Sequence, residues 1–178
     1  MTGKLHISRE DIHKGLIKLG LKKGSVVLVH SSLSKFGYVE GGADTVVDAL
    51  IETVGEKGTI AVPGFSFSLG KDGSVFDVKN TPSEMGKISE TLRKKRGTYR
   101  SHHLTHSVVA LGYKAKELTE THSITPCGRE SPFRKLIDWG GYILLLGVDQ
   151  NLNTIFHAIE EEKKYFISNL RRLKMPLS

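Results

Sequence analysis

Apolar and polar positions along this chain follow two different periods. Unbroken apolar runs occur at 26–29, 60–62, 108–111 and 142–146, the pattern of short strands buried on both faces. Between them, apolar residues recur at helical spacing: Ile12, Leu16 and Leu19; Val46, Val47, Leu50, Ile51 and Val54; Met85, Ile88 and Leu92; Phe133, Leu136 and Ile137; Ile155, Ala158 and Ile159. Start and stop signals frame these segments. Ser8 with Asp11 forms a capping box, and Gly20, Gly55 and Gly97 close helices. Thr81-Pro82-Ser83-Glu84 predicts a helix capped by Thr81 and boxed by Glu84, Ser131-Pro132 opens another, and Asn153-Thr154 opens the last. A short helix is expected from Ala115 to about Thr121. Helices alternating with apolar strands predict an α/β protein with a largely parallel or mixed central sheet.

The stretch from Val26 to Gly42 organises the rest. An apolar run ends in His30-Ser31-Ser32-Leu33-Ser34, and Gly41-Gly42 precede a helical pattern. In open α/β sheets, ligands bind beyond the carboxyl ends of the strands. Hydroxyls there, glycines that admit close backbone approach and the free N–H groups of a helix start suit an anion. A serine-rich connection with no ligand fits the same residues.

Length and charge narrow the classes. A chain of 178 residues suits a single domain, 1–178, with a basic tail at 168–178. No apolar run reaches the ~20 residues of a membrane span. The start of the chain lacks a signal-type apolar region, and the one cysteine, Cys127, allows no internal disulfide, so a cytoplasmic setting is expected. The net charge of +7 is spread out, apart from Arg93-Lys94-Lys95-Arg96 and Arg171-Arg172. Without aromatic interleaving or a reading motif, a nucleic-acid partner is disfavoured.

Candidate chemistry centres on histidine. His102, His103 and His106 cluster before the third apolar run, and His106 is placed at the edge of the expected cleft. Imidazole is the usual general base near neutrality. A histidine merely hydrogen-bonded at a strand end is the simpler alternative. A metal site is disfavoured, because no further ligands stand at suitable spacing. A base histidine needs a carboxylate to hold its tautomer. Asp77 is the first candidate; Glu84 is expected to be used in the helix cap, and Asp149 follows the last strand. His157 and Glu160, three apart on the last helix, share a face. Walker, dinucleotide-binding and nucleophile-elbow motifs are absent.

Taken together, several segments resemble the aminoglycoside 3-N-acetyltransferase family. They are Leu28-Val29-His30-Ser31-Ser32-Leu33-Ser34 with Gly37 and Val39-Glu40-Gly41-Gly42; Gly58-Thr59 through Val62-Pro63; Phe76-Asp77 with Thr81-Pro82-Ser83 and Met85-Gly86; Arg100-Ser101 and Thr105-His106-Ser107; Ser131-Pro132-Phe133; and Leu144-Leu145-Leu146-Gly147-Val148 with Asn153-Thr154 and His157. The resemblance implies a three-layer α/β/α sandwich, not the GNAT fold of the commoner acetyltransferases. It implies acetyl-CoA as co-substrate and the 3-N amine of an aminoglycoside or related amino sugar as acceptor, with a role in antibiotic resistance. By position, Ser31, Ser32, Ser34, Gly41, Gly42 and Ser107 would hold the coenzyme, and His106 with Asp77 would carry the catalysis. Asp149, Asn153, His157 and Glu160 would meet a polycationic acceptor. Family members continue past the last helix, so the chain is expected to be C-terminally shortened. That leaves open a catalytically weak homologue that binds CoA or a partner, or compensation by self-association.

Overall fold

The structure, a computed structural model, describes residues 6–69 and 75–173, with side chains to residue 164. Five strands form one sheet: β2 (Val26–Ser31), β4 (Thr59–Pro63), β5 (Tyr99–Arg100), β6 (Val108–Gly112) and β7 (Tyr142–Leu146), in the order β5-β6-β4-β2-β7. β2 pairs parallel with β4 and β7, whereas β6 runs antiparallel to both β4 and β5. The sheet is therefore mixed. Three short strands are absent from the sequence reading: β5 at the sheet edge, and β1 (His6–Ile7) and β3 (Tyr38–Val39), which pair separately. They are too short to show a period.

Side-chain alternation along the strands builds two cores. Val27, Val29, Ile60, Val62 and Val109 face α1 (Arg9–Lys18), α2 (Gly42–Val54) and α3 (Lys87–Lys94). Leu28, Ala61, Val108 and Ala110 face α4 (Ala115–Thr119), α5 (Pro132–Asp138) and α6 (Ile155–Leu173). Helices cover both faces, giving the expected three layers. Because α6 continues to Leu173, the first part of the 168–178 segment is helical, and 174–178 lie outside the described residues.

Local signals explain most boundaries. Ser8 caps α1: its Oγ accepts from Asp11 N at 3.2 Å, and Asp11 Oδ2 accepts from Ser8 N at 2.9 Å. Ser131 Oγ accepts from Arg134 N at 3.2 Å at the start of α5. Two apolar positions depart from the helical pattern. Leu19 and Ile159 are 66% and 52% exposed, while Ile12, Leu16, Ile155 and Ala158 are buried.

The expected Thr81 helix is a correction. The helix starts five residues later, at Lys87, after Gly86 with φ +91°. Tertiary partners take the capping groups. Thr81 Oγ1 accepts from Asp77 N at 2.9 Å. The Glu84 carboxylate accepts from Phe67 N at 3.1 Å and Ser68 N at 3.0 Å, and also from the Ser68 hydroxyl. Residues 81–86 thus form a brace across the preceding loop rather than a helical turn.

Candidate active site

The carboxyl ends of β2, β4 and β7 and the start of β6 meet at one edge of the sheet, as the registers Ser31↔Leu146 and Pro63↔Val108 require. A cavity of about 330 Å³ opens there. Its polar wall includes His30, Ser31, His106, Asn153 and His157, and Phe65, Phe67 and Met85 supply apolar surface. A second cavity of about 460 Å³ adjoins it. Ser31, Ser32 and Ser34 line this one with Gly42, the first residue of α2, and with Gly86 and Lys87, the cap and first residue of α3. Ser31 belongs to both, so the serine loop is the partition between them. Two helix N-termini facing one space favour a negatively charged group there.

The loop geometry follows from its sequence. Ser32 N donates to Leu146 O at 2.9 Å, which ties the loop to the end of β7, and Ser32 Oγ lies 3.1 Å from Ser34 Oγ. Gly41 (φ +72°) turns the chain into α2, and a Cβ there would sit 2.4 Å from Thr45 Oγ1.

His106 packs in an aromatic wall, with ring centroids 4.7 Å from Phe65, 5.1 Å from Phe67 and 5.7 Å from His103. Burial lowers its pKa, with His103 and His157 adding to the effect, so its ring is neutral near pH 7. His103 fixes the turn beneath it. Its Nδ1 accepts from Thr105 N at 3.2 Å and His106 N at 3.0 Å, so its proton sits on Nε2, which donates to Ile124 O. His106 Nδ1 bonds the Thr105 hydroxyl at 2.8 Å, not a carboxylate.

Asp77 does not supply that carboxylate. Its oxygens accept from Lys79 N (2.7 Å), Asn80 N (3.0 Å) and Asn80 Nδ2 (2.8 Å), and the Asn80 contacts hold its pKa below the ordinary carboxylate value. The imidazole on the cavity wall with a carboxylate partner is His157, whose Nδ1 lies 3.2 Å from Glu160 Oε2. Helical i,i+3 spacing creates this pair, so the sequence held the signal for it.

The remaining expected residues divide. Ser31, Ser32, Ser34 and Gly42 line the second cavity, whereas Gly41, the residue before α2, does not. Ser107 lines neither. It is fully buried, its Oγ donating to Gly64 O at 2.8 Å and accepting from Arg100 Nε at 2.9 Å. Asp149 caps a short turn through Asn151 N at 3.0 Å. Asn153 reaches the cavity wall while its Oδ1 accepts from Ile155 N at 3.2 Å, capping α6. Sequence reasoning missed His30, Phe65, Phe67 and Ser89 as lining residues. For His30 a signal existed: a polar residue closing an apolar run.

Comparison with known proteins gives a consistent picture. Residues 28–177 match the family model described as aminoglycoside 3-N-acetyltransferase. The chain is 36% identical over 180 residues to the SPbeta prophage-derived aminoglycoside N(3')-acetyltransferase-like protein YokD of Bacillus subtilis, a match covering 89% of this chain and 66% of that protein. It is 33% identical over 173 residues to aminoglycoside N(3)-acetyltransferase VII of Streptomyces paromomycinus, covering 86% and 60%. A solved structure of AAC-IIIb in a binary complex with CoASH superposes with a TM-score of 0.81 at 30% identity, covering 88% of this chain and 65% of that one. The chain thus spans less than two thirds of the length of these relatives. Among the described residues no helix is long and apolar enough to cross a membrane, and no group of three or more His, Cys, Asp or Glu could hold a metal.

Proposed function

Because the chain belongs to the aminoglycoside 3-N-acetyltransferase family, we propose that it transfers acetyl from acetyl-CoA to an amine of an aminoglycoside or related amino sugar. The observation that carries this reading is the paired cavity. One chamber is walled by imidazoles, the other ends on two helix N-termini, and Ser31 joins them. Phosphates and the pantetheine arm suit the second chamber. The acyl end then lies beside Ser31, facing the imidazoles.

The step needs a neutral amine and a place for its proton. Glu160 accepts from Nδ1–H of His157, which leaves the Nε2 lone pair free as base. The amine nitrogen attacks the thioester carbonyl carbon, and its proton passes to Nε2. The tetrahedral adduct collapses with cleavage of the carbon–sulfur bond. The thiolate leaves and takes the proton from the imidazolium, giving amide and CoA thiol. His106, held in its aromatic wall, shapes the chamber and keeps it from accumulating positive charge. Asp149 and Glu160 bring negative charge toward a polycationic acceptor, and Asn153 offers its amide. The setting we propose is the cytoplasm, where the acyl donor is made.

The test is thiol release from acetyl-CoA with a panel of aminoglycosides. His157→Ala should lower kcat by about 10²- to 10⁴-fold, the usual worth of a positioned base, and Glu160→Gln by less. His106→Ala should cost less than His157→Ala. Release from no acceptor, with CoA still binding, would favour a binding protein without turnover. Equal turnover by His157→Ala would remove the proposed base.

A further inference from the structure

His30 is the last side chain of β2 on the Leu28 face, and among the described residues its Nε2 bonds to nothing. It shares the face of Leu28, toward α5 and α6, and pairs in register with Leu145 of β7. The residue is 6% exposed, lines the imidazole chamber and directly precedes Ser31, the residue common to both cavities. Its Nε2 is a buried side-chain polar atom with no hydrogen-bond partner, the single such atom among the described residues. Leaving a buried donor or acceptor unpaired is unfavourable, and proteins rarely tolerate it without a use.

Resting on the function above, we propose that His30 is a further catalytic residue: its Nε2–H donates a hydrogen bond to the carbonyl oxygen of the acetyl thioester and to the oxyanion formed on attack. The position meets the requirements of such a donor. It sits mid-sheet between β4 and β7 on a rigid strand, so its direction is set before substrate arrives. It has no competing acceptor to release. Burial holds the ring pKa down at about 4, so the ring is neutral at working pH and acts as a hydrogen-bond donor rather than as a cation. It stands at the junction that an acyl group must pass on its way from the anion-binding chamber to the imidazoles.

The experiment uses the full chain. Titration calorimetry measures acetyl-CoA and CoA binding, thiol release gives kcat, and ring ¹⁵N spectra follow His30. For the spectra, the protein is titrated with the ketone analogue of acetyl-CoA, in which methylene replaces sulfur, and separately with CoA, which lacks the carbonyl. The analogue should move the His30 Nε2 resonance and CoA should not. His30→Phe should keep CoA affinity within about threefold and lose about 10²-fold in kcat. Its Tm should not fall, because Nε2 bonds none of the described residues. His30→Gln, which returns an N–H near the Nε2 position, should recover at least part of the loss. Unchanged kcat in a folded His30→Phe protein overturns the inference, as does a wild-type His30 resonance indifferent to the analogue; the spectrum decides the matter even if His30→Phe does not fold. If wild-type protein binds neither acetyl-CoA nor CoA, the functional reading fails with it. If it binds acetyl-CoA and His30 is unmoved, the inference about His30 alone fails.

Discussion

Ser107 distinguishes a packing hub from a coenzyme contact, and the difference is measurable. Arg100 is 9% exposed and ties together three separate segments. Its Nε donates to Ser107 Oγ at 2.9 Å, its Nη2 to Gly64 O at 2.5 Å and its Nη1 to Thr81 O, while its guanidinium carbon lies 4.8 Å from the Phe76 ring centroid. Ser107 also donates to Gly64 O, and Gly64 N donates back to Ser107 O, both at 2.8 Å. A Cβ on Gly64 would fall 3.0 Å from Val109 Cγ2, 3.1 Å from Ser107 Oγ and 3.3 Å from Arg100 Nε, so a larger residue would crowd the hub and force its neighbours to shift. Burial pulls the guanidinium down to about 10, which still leaves it charged at neutral pH. Ser107→Ala removes two hydrogen bonds. Gly64 O keeps Arg100 Nη2, but Arg100 Nε is left as a buried charged donor with no partner. A hydrogen bond to a charged group contributes about 1.5–3 kcal/mol, so the variant should be less stable by about 2–3 kcal/mol. At about 2–4 °C per kcal/mol for a chain of this size, Tm should fall by about 4–12 °C. Urea denaturation of wild type, Ser107→Ala, Arg100→Met and the double variant completes the cycle, with an expected coupling of about 1–2 kcal/mol. Additive single effects, or a Ser107→Ala loss below about 0.5 kcal/mol, would refute the hub. A folded Ser107→Ala protein should bind acetyl-CoA as wild type does. Weakened binding at unchanged stability would restore the coenzyme role expected from the sequence.

Three further outcomes follow from the same contacts. His30 and His122 are both held down to about 4, chiefly by burial, against about 6.5 in the unfolded chain. The unfolded state therefore binds more protons between these values, and stability must fall as pH drops from about 6.5 to about 4, at up to ~1.4 kcal/mol per pH unit per ring; urea midpoints at stepped pH read this, with a shallower slope in His122→Gln. The Cys127 thiol is 1% exposed and pushed up to about 12 by burial, so a disulfide reagent should modify it only as fast as urea unfolds the protein, and rapid native labelling would contradict its placement. Glu84→Ala frees the Phe67–Ser68 turn that walls the imidazole chamber, which should cost about 1 kcal/mol in stability and raise KM for the acceptor more than it lowers kcat.

Sequence alone determined what periodicity encodes. The four long strands, the caps of α1 and α5, the α/β class and the serine loop at the exit of the first long strand all depend on neighbours within a few residues. The helical spacing of His157 and Glu160 belongs with them, since an i,i+3 contact is local. The tertiary structure decided whatever depended on competition between distant partners. Thr81-Pro82-Ser83-Glu84 carries a good helix start, yet Thr81 bonds Asp77 and Glu84 bonds Phe67 and Ser68, so the start is spent on bracing a loop. Asp77 had the right charge for a histidine partner, but nearer N–H groups at Lys79 and Asn80 claim its oxygens. Ser107 adjoins the site in sequence and is turned away from it by an arginine seven residues earlier. His30 reads as the end of a strand, and only the meeting of β2 with β4 and β7 gives it a chamber to face and leaves its nitrogen without a partner. Hydrogen-bonding capacity is written in the chain, but its allocation is settled only when distant groups compete for the same atoms.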